Sequence, residues 1–459
     1  MSIALVFNNK LKGVTDMPSD DTIESLKAIP QSVCFLTLGC KVNQTESEAL
    51  AQLFHNNGYE VVTPLDEADV VVVNTCTVTN TGDAKSRQVI RRMIKSHPDA
   101  FVVVMGCYAQ TAPGEVLEIE GVDLVLGTQD RGKILELIEQ VRQEQKPQSQ
   151  VHTIWDAQEF EELPLMEGES RTRATLKIQD GCNKFCTYCI IPYARGPVRS
   201  RKHENVIAEA KKLVSAGYKE IVLTGIHTGS YGEDSGEDWN LARLVKELTN
   251  IPGLSRLRLS STEPMEFTPE LIEVILSSSG VCSHLHIPLQ CGSDTILSRM
   301  KRPYTTQEFK NLIDEFNQKL PGIAITTDVI VGFPGETEQD FQDSLEFVRS
   351  CHFAGVHVFP YSKRKGTPAA KYSDHLTKKV KEQRVKALME VAQQSHEDYV
   401  EKCVGQTLEV LIERVGEDGT ATGHTRNYIQ VKLPPRSDGK AWESGELVEF
   451  VFEKDHLLK

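Results

Sequence analysis

Three cysteines, Cys182, Cys186 and Cys189, stand close together in the stretch KIQDGCNKFCTYCIIPYARG as a C-x3-C-x2-C run. Three thiolates at this spacing can hold three corners of a cubic iron–sulfur cluster on one short loop. The fourth iron then has no protein ligand and can take a small molecule. Structural zinc usually wants four protein ligands, with its cysteines in paired knuckles, so an isolated triple fits zinc poorly. Phe185 and Tyr188 lie inside the loop, placed to shield a cluster from water, and a strand-like ATLKI leads into it. A second set is spread along the chain. Cys40, Cys76 and Cys107 each close an apolar run: VCFLTLGC, VVVVNTC and FVVVMGC. Ligand sites in open parallel sheets lie at the carboxyl ends of strands, so three thiols placed this way can meet at one edge. Packed core cysteines are the plainer alternative for them. Cys34, Cys282, Cys351 and Cys403 read as packed cysteines, and Cys291 sits beside Gln290 in PLQCGSD.

The elements that must position these thiols follow from the periodicity. From Val33 to about residue 145, short apolar runs (33–40, 70–76, 101–107, 124–127) alternate with amphipathic stretches such as SEALAQLFHNNG. That alternation predicts an open parallel α/β domain. Residues 145–170 are polar and then acidic, and read as a linker. Residues 171–370 repeat strand then helix, with strands expected at 175–179, 220–226, 256–261, 284–290, 325–332 and 355–362. Six βα units suggest an open, partial (β/α)6 barrel. A lysine-rich helical connector follows. The last segment alternates short strands with Gly and Asp turns, as in a small β-barrel. The domains expected are 31–147, 168–399 and 400–459; residues 1–30 read as a loose polar tail.

The chain has 459 residues, a net charge of −14 and eleven cysteines. No apolar run reaches the roughly 20 residues that a membrane helix needs, and the N-terminus lacks a signal-like segment. A cytoplasmic location with no membrane partner is the expectation. Disulfides would be awkward there, so metal binding or catalysis is the better account of the cysteines. The acidic balance argues mildly against nucleic acid as a partner, because phosphate contacts need Lys and Arg.

The C-x3-C-x2-C loop resembles that of the radical S-adenosylmethionine (radical SAM) superfamily. TLGCKVNQTES, NTCTVT and GCYAQ resemble the N-terminal domain of the methylthiotransferases, the MiaB, MtaB and RimO families, and the cysteine loop is most similar to MtaB. The resemblance implies two 4Fe–4S clusters. Cys182, Cys186 and Cys189 would hold the catalytic one, whose open iron binds S-adenosylmethionine, and Cys40, Cys76 and Cys107 an auxiliary one. It further implies methylthiolation at C2 of N6-threonylcarbamoyladenosine beside a tRNA anticodon, with two S-adenosylmethionine molecules used per product. A low-potential electron donor such as flavodoxin or ferredoxin is implied too. The C-terminal strands resemble the TRAM RNA-binding module, with His424, Arg426, Asn427 and Tyr428 as stacking and hydrogen-bonding groups. Between Val400 and Lys459, however, 8 basic residues face 11 acidic ones.

Chemistry in barrels sits after the strands, which makes Thr224, Gly225, Ser261, Gln290 and Asp328 the expected S-adenosylmethionine contacts. Basic residues cluster on the same loops. Arg195, Arg199, Arg201, Arg302, Lys363 and Arg364 are therefore the expected contacts to the tRNA anticodon stem-loop. Three alternatives stay open: a MiaB-like enzyme acting on isopentenyladenosine, a RimO-like enzyme acting on an aspartate of a ribosomal protein, and a zinc-stabilised RNA-binding protein without catalysis.

Overall fold

The computed structural model describes residues 32–164 and 172–458. The polar tail read over 1–30 lies outside them. Two compact units divide the chain: Met1–Glu167 with the short segment Tyr193–Gly196, and Gly168–Pro192 with Pro197–Lys459.

In the first unit six strands form one parallel sheet: β1 (Ser32–Thr37), β2 (Glu60–Val62), β3 (Val70–Thr75), β4 (Phe101–Gly106), β5 (Leu124–Leu126) and β6 (Gln148–Gln150), in the order β2-β1-β3-β4-β5-β6. β3 explains its own sequence. Val71 and Val73 enter a core with Val89, Ile90 and Met93 on one face, and Val70 and Val72 enter another with Leu50, Phe54 and Ile138. A strand buried on both faces reads as a continuous apolar run rather than an alternating one. The four expected strands are present. The stretch read as a linker is not all linker: Gln148–Gln150 adds the edge strand β6, and Ile154 and Ala157 are buried. An edge strand can be held by main-chain hydrogen bonds alone, so QSQ carries no apolar signal.

The second unit contains all six expected parallel strands: β7 (Arg173–Asp180), β9 (Glu220–Gly225), β10 (Arg256–Arg258), β11 (His284–His286), β12 (Ala324–Val331) and β13 (Gly355–Pro360). A two-residue strand, β8 (Arg199–Ser200), lies antiparallel to β7. Main-chain pairing joins β10-β9-β7-β8 and β11-β12-β13, and a parallel bridge from Leu257 to Val281 connects β10 to the segment before β11. This is the open barrel arrangement. The helix Lys378–Cys403, capped by the Thr377 hydroxyl accepting from Val380 N, packs on β12 and β13. It leads into four antiparallel strands, β14 (Thr407–Val415), β15 (Ala421–Thr425), β16 (Gln430–Leu433) and β17 (Leu447–Val451), in the order β16-β15-β14-β17.

That small sheet docks onto the barrel through the residues expected to face RNA. Arg426 donates to the carbonyls of Ser255 and Val281, and Asn427 is buried and donates to the Tyr399 hydroxyl at 2.9 Å. Tyr428 lies between His284 and His424, with ring centroids at 4.7 and 4.9 Å, and the Arg258 guanidinium sits over its ring. Beneath, Glu220 is fully buried. It accepts from Arg258 Nε at 2.8 Å and lies 3.5 Å from Arg256, while both arginines also donate to carbonyls of the small sheet. Stacking and hydrogen-bonding groups read as RNA recognition thus also serve this interface.

Candidate functional site

Each cysteine triad sits at the carboxyl end of a parallel sheet. In the first unit, Cys40 precedes the helix Lys41–Asn56, Cys76 follows β3, and Cys107 follows β4 and opens the short helix Cys107–Thr111. The thiols feel one another. Burial pushes Cys107 up to about 12, with Arg195 opposing and the neighbouring Cys76 and Cys40 adding to the rise. Asn43 fixes the two turns that present Cys40 and Cys76: its Nδ2 donates to Leu38 O and Thr75 O, both at 2.9 Å. Gly39 holds φ at +109°, and a Cβ there would lie 2.8 Å from Cys76 Cβ. Gly39→Ala is therefore expected to displace Cys76 and to lower the stability of the first unit by about 0.5–3 kcal/mol, which a urea unfolding curve of the variant checks.

Behind the thiols lies a buried ion network. Arg195 is wholly buried; its Nε donates to Cys107 Sγ at 3.2 Å, Nη1 to Glu46 at 2.5 Å and Nη2 to Asn43 Oδ1 at 2.6 Å. Glu46 also meets Arg131 at 2.5 Å, and Arg131 meets Glu161 at 2.7 Å. Thr128 Oγ1 anchors the Arg195 segment by donating to Ala194 O at 2.7 Å.

The second triad is built on the same plan. Cys182 follows β7, where Gln179 Nε2 donates to the carbonyls of Asp180 and Gly181 at 2.7 Å and its Oε1 accepts from His227 N at 2.7 Å. The loop closes on itself with Cys189 N donating to Cys186 O, and it is clamped through Thr187 to Arg299, Met300 and Ala369. Arg302 Nη1 donates to Cys186 Sγ at 3.3 Å, its Nε to the Tyr304 hydroxyl at 3.0 Å, and Nη2 pairs with Glu263. His227 is buried, 2.5 Å from Glu266 and 2.8 Å from Ser230 Oγ. Burial opposes its charge, but hydrogen bonds to Cys182 and Glu266 outweigh this and hold the imidazole up at about 9. Gly229 leaves room for Glu266: a Cβ there would fall 1.7 Å from Oε2.

So each triad has an arginine donating to one sulfur and a carboxylate holding that arginine. Three clustered thiols with a cationic donor suit a group of bridged, negatively charged sulfurs, because charge-assisted hydrogen bonds are strongest to anionic acceptors. Sequence reasoning missed Asn43, Glu46 and Glu266 as site residues; His227 and Glu263 stand among the polar residues that follow the barrel strands but carried no assigned role. KVNQTES directly after the first cysteine, and GIHTGS after β9, are the places where a signal stood.

Most of the basic residues expected on RNA lie inside the fold. Arg195, Arg199, Arg201, Arg302 and Arg364 are all buried, and Lys363 is exposed. Besides Arg195 and Arg302, Arg199 donates to Pro197 O at 3.0 Å and Arg201 pairs with Glu209 at 2.5 Å. Among the expected S-adenosylmethionine contacts, Thr224 is buried with its Oγ1 3.2 Å from Ser260 Oγ, and a Cβ on Gly225 would fall 3.1 Å from Gln179. The Ser261 carbonyl accepts from Thr228, and Gln290 takes a φ of +65° with its N donating to Asp328 O at 2.8 Å. Asp328 stands apart, in the middle of β12 and 3.4 Å from His286. Cys34, Cys282, Cys291, Cys351 and Cys403 are buried.

A profile of the radical SAM superfamily matches residues 176–348, and one described as uncharacterized protein family UPF0004 matches 32–127. The chain is 51% identical over 412 residues to the threonylcarbamoyladenosine tRNA methylthiotransferase MtaB of Bacillus subtilis, covering 89% of this chain and 91% of that one. It is 41% identical over 403 residues to the MtaB of Aquifex aeolicus, with coverages of 87% and 96%. It is 37% identical over 404 residues to a tRNA-2-methylthio-N(6)-dimethylallyladenosine synthase of Acetivibrio thermocellus, with coverages of 86% and 83%. Among solved structures, the radical S-adenosylmethionine methyltransferase TsrM of Kitasatospora setae superposes with a TM-score of 0.56 at 16% identity, covering 74% of each chain, a likeness of fold. With both cysteine triads in place and relatives of this identity along most of its length, the chain belongs to the radical SAM methylthiotransferase family and is an enzyme of that class.

Proposed function

We propose that this enzyme adds a methylthio group to C2 of N6-threonylcarbamoyladenosine beside the anticodon of tRNA, with two 4Fe–4S clusters and two molecules of S-adenosylmethionine per product. The observation that carries the reading is the pair of cysteine triads, each with its own buried arginine and carboxylate. When bound, the clusters and S-adenosylmethionine supply the radical chemistry and the sulfur that an unreactive C–H position requires. The protein's part is placement. Cys182, Cys186 and Cys189 would hold the catalytic cluster, and Arg302 would steady Cys186. Cys40, Cys76 and Cys107 would hold the auxiliary cluster, with Arg195 donating to Cys107. Thr224, Gly225, Ser261 and Gln290, at the carboxyl ends of their strands, would line the S-adenosylmethionine site. A flavodoxin or ferredoxin would supply electrons.

Anaerobic reconstitution tests the reading. About eight irons with matching labile sulfide are expected, the content of two 4Fe–4S clusters, together with methylthiolated nucleoside in tRNA digests analysed by mass spectrometry. Zinc without labile sulfide would refute it. The B. subtilis and A. aeolicus relatives carry the threonylcarbamoyladenosine name, which supports that substrate. Among the described residues no helix is long and apolar enough to cross a membrane; a cytoplasmic location goes with the proposed tRNA substrate.

With the arginines turned inward, phosphate contacts fall to exposed lysines on the same loops, Lys301, Lys363 and Lys365. Replacing Lys301 and Lys365 by alanine is expected to flatten the log–log salt dependence of tRNA binding by about 1–2. An unchanged slope would mean that these lysines are only solvated.

A further inference from the structure

A second cluster of polar side chains lies on the second unit's parallel sheet, away from the cysteines' own contacts. His286 on β11, Asp328 on β12 and His357 on β13 stand on three adjacent strands. Thr326 is in register with His286, and Asp328 with His357. One nitrogen or oxygen atom from each of the three lies within 4.8 Å of the others, and His286 Nε2 is 3.4 Å from Asp328 Oδ2. Thr326 Oγ1, 2.9 Å from His286 Nδ1, fixes that ring. The alternating residues Ile325, Thr327, Val329 and Val331 are buried, so the trio occupies the less covered face of β12 and β13. Two residues beyond His357 on the same face is Phe359, which is 44% exposed. An aromatic this exposed on a barrel strand offers a platform for a base, as unstacked bases commonly find in RNA-binding proteins.

The chemistry of the trio selects what it can hold. Asp328 only accepts hydrogen bonds when ionised, and a neutral imidazole donates through one nitrogen and accepts through the other. A hydrocarbon substituent would strip water from all three and return no hydrogen bond, and a site built to pair polar groups rejects such a ligand strongly. A threonylcarbamoyl group has ureido N–H and hydroxyl O–H donors for Asp328, and a carboxylate and carbonyl to accept from the histidines. Two residues of strand span about 6.6 Å, close to the reach from a purine's stacked ring to its N6 substituent.

We propose that His286, Asp328 and His357 form the pocket that reads the polar N6 substituent of the target adenosine, with Phe359 stacking on the base. This assignment takes Asp328 out of the expected S-adenosylmethionine set. It rests on the tRNA reading above and deepens it, because it names the groups that separate a threonylcarbamoyl substrate from an isopentenyl one.

The test uses the full-length reconstituted enzyme and three anticodon stem-loops, bearing N6-threonylcarbamoyladenosine, N6-isopentenyladenosine or unmodified adenosine. Dissociation constants are measured by fluorescence anisotropy for the wild type, His357→Phe and Asp328→Asn, with His357→Gln in reserve should the Phe variant misfold. Iron content and thermal unfolding confirm that each variant is intact. The wild type is expected to prefer the threonylcarbamoyl loop over both others. Each variant is expected to lose about tenfold or more of that ratio, the loss typical of one hydrogen bond to a charged group. A wild-type preference that both variants keep would overturn the pocket and leave the proposed function standing. A wild type that prefers the isopentenyl loop, or neither modified loop, would overturn both. A stoichiometric non-iron divalent metal in the purified wild type, lost in His286→Ala, would make the trio a metal centre and overturn the pocket.

Discussion

A full-length chain carrying Cys40→Ala, Cys76→Ala and Cys107→Ala is expected to cleave S-adenosylmethionine, read as 5′-deoxyadenosine, and to form no methylthiolated adenosine. The two triads belong to different compact units, and each has its own donor arginine. Nothing that holds Cys182, Cys186 and Cys189 is removed by the triple change. The first unit should also stay folded. Arg195 loses its sulfur partner but keeps Glu46 and Asn43, so no buried charge is stranded. The stability loss from each of the three changes should stay within the range of ordinary point substitutions, about 0.5–3 kcal/mol. Deoxyadenosine formation, methylthio product and thermal unfolding, measured on one preparation, separate the outcomes. Methylthio product from a folded triple variant would place the sulfur source elsewhere. A parallel fall in every activity with collapse of the first unit would reduce the three thiols to packing.

Glu220→Ala is expected to cost about 3–5 kcal/mol, the price of stranding a buried charge. Arg256 keeps Glu409 at 2.9 Å, but Arg258 loses the carboxylate on which two of its nitrogens rest. The pH dependence has a definite sign. Burial raises the Glu220 carboxyl, yet Arg258 and its neighbours more than offset this and hold it below the ordinary glutamate value. A depressed folded value means stability that is complete above the unfolded pKa, about 4.3, and is lost as pH falls through the lower folded value. The difference in urea midpoint between wild type and Glu220→Gln should be constant near neutrality and shrink below about pH 4. Cluster-free chain is the sample of choice, because acid loss of iron then plays no part. A midpoint difference indifferent to acid would show that the Glu220 charge is not what holds the small sheet to the barrel.

The strands were legible because burial on both faces writes itself into the sequence: VVVV in β3 can be little else. The placement of Cys40, Cys76 and Cys107 after strands was legible because each closes such a run. The arginines misled. Arg195 follows the cysteine loop like a surface charge, but its partner Glu46 lies 149 residues earlier, and no local pattern reveals such a pairing. Arg302 is similar, its carboxylate being Glu263, 39 residues upstream. Asp328 reads in the sequence as an S-adenosylmethionine contact, and His286 and His357 carry no signal there; only the register of three parallel strands brings them to one point. In the C-terminal sheet, the aromatic and basic residues that suit RNA suit a docking interface equally well, since stacking and guanidinium–carbonyl bonds serve both.

The membership of Tyr193–Gly196 in the first unit has a consequence for how the protein is made. Domains generally fold as they emerge from the ribosome, N-terminal first. Here the first unit cannot finish on its own sequence, because the residue that balances Glu46 and faces Cys107 arrives only after the whole C-x3-C-x2-C loop has been translated. A nascent chain, or an excised fragment ending at Glu167, would bury Glu46 with one arginine fewer and leave Asn43 and Cys107 without their guanidinium. The first cysteine triad therefore reaches its final form no earlier than the second has emerged, which sets an order for any machinery that loads iron during synthesis.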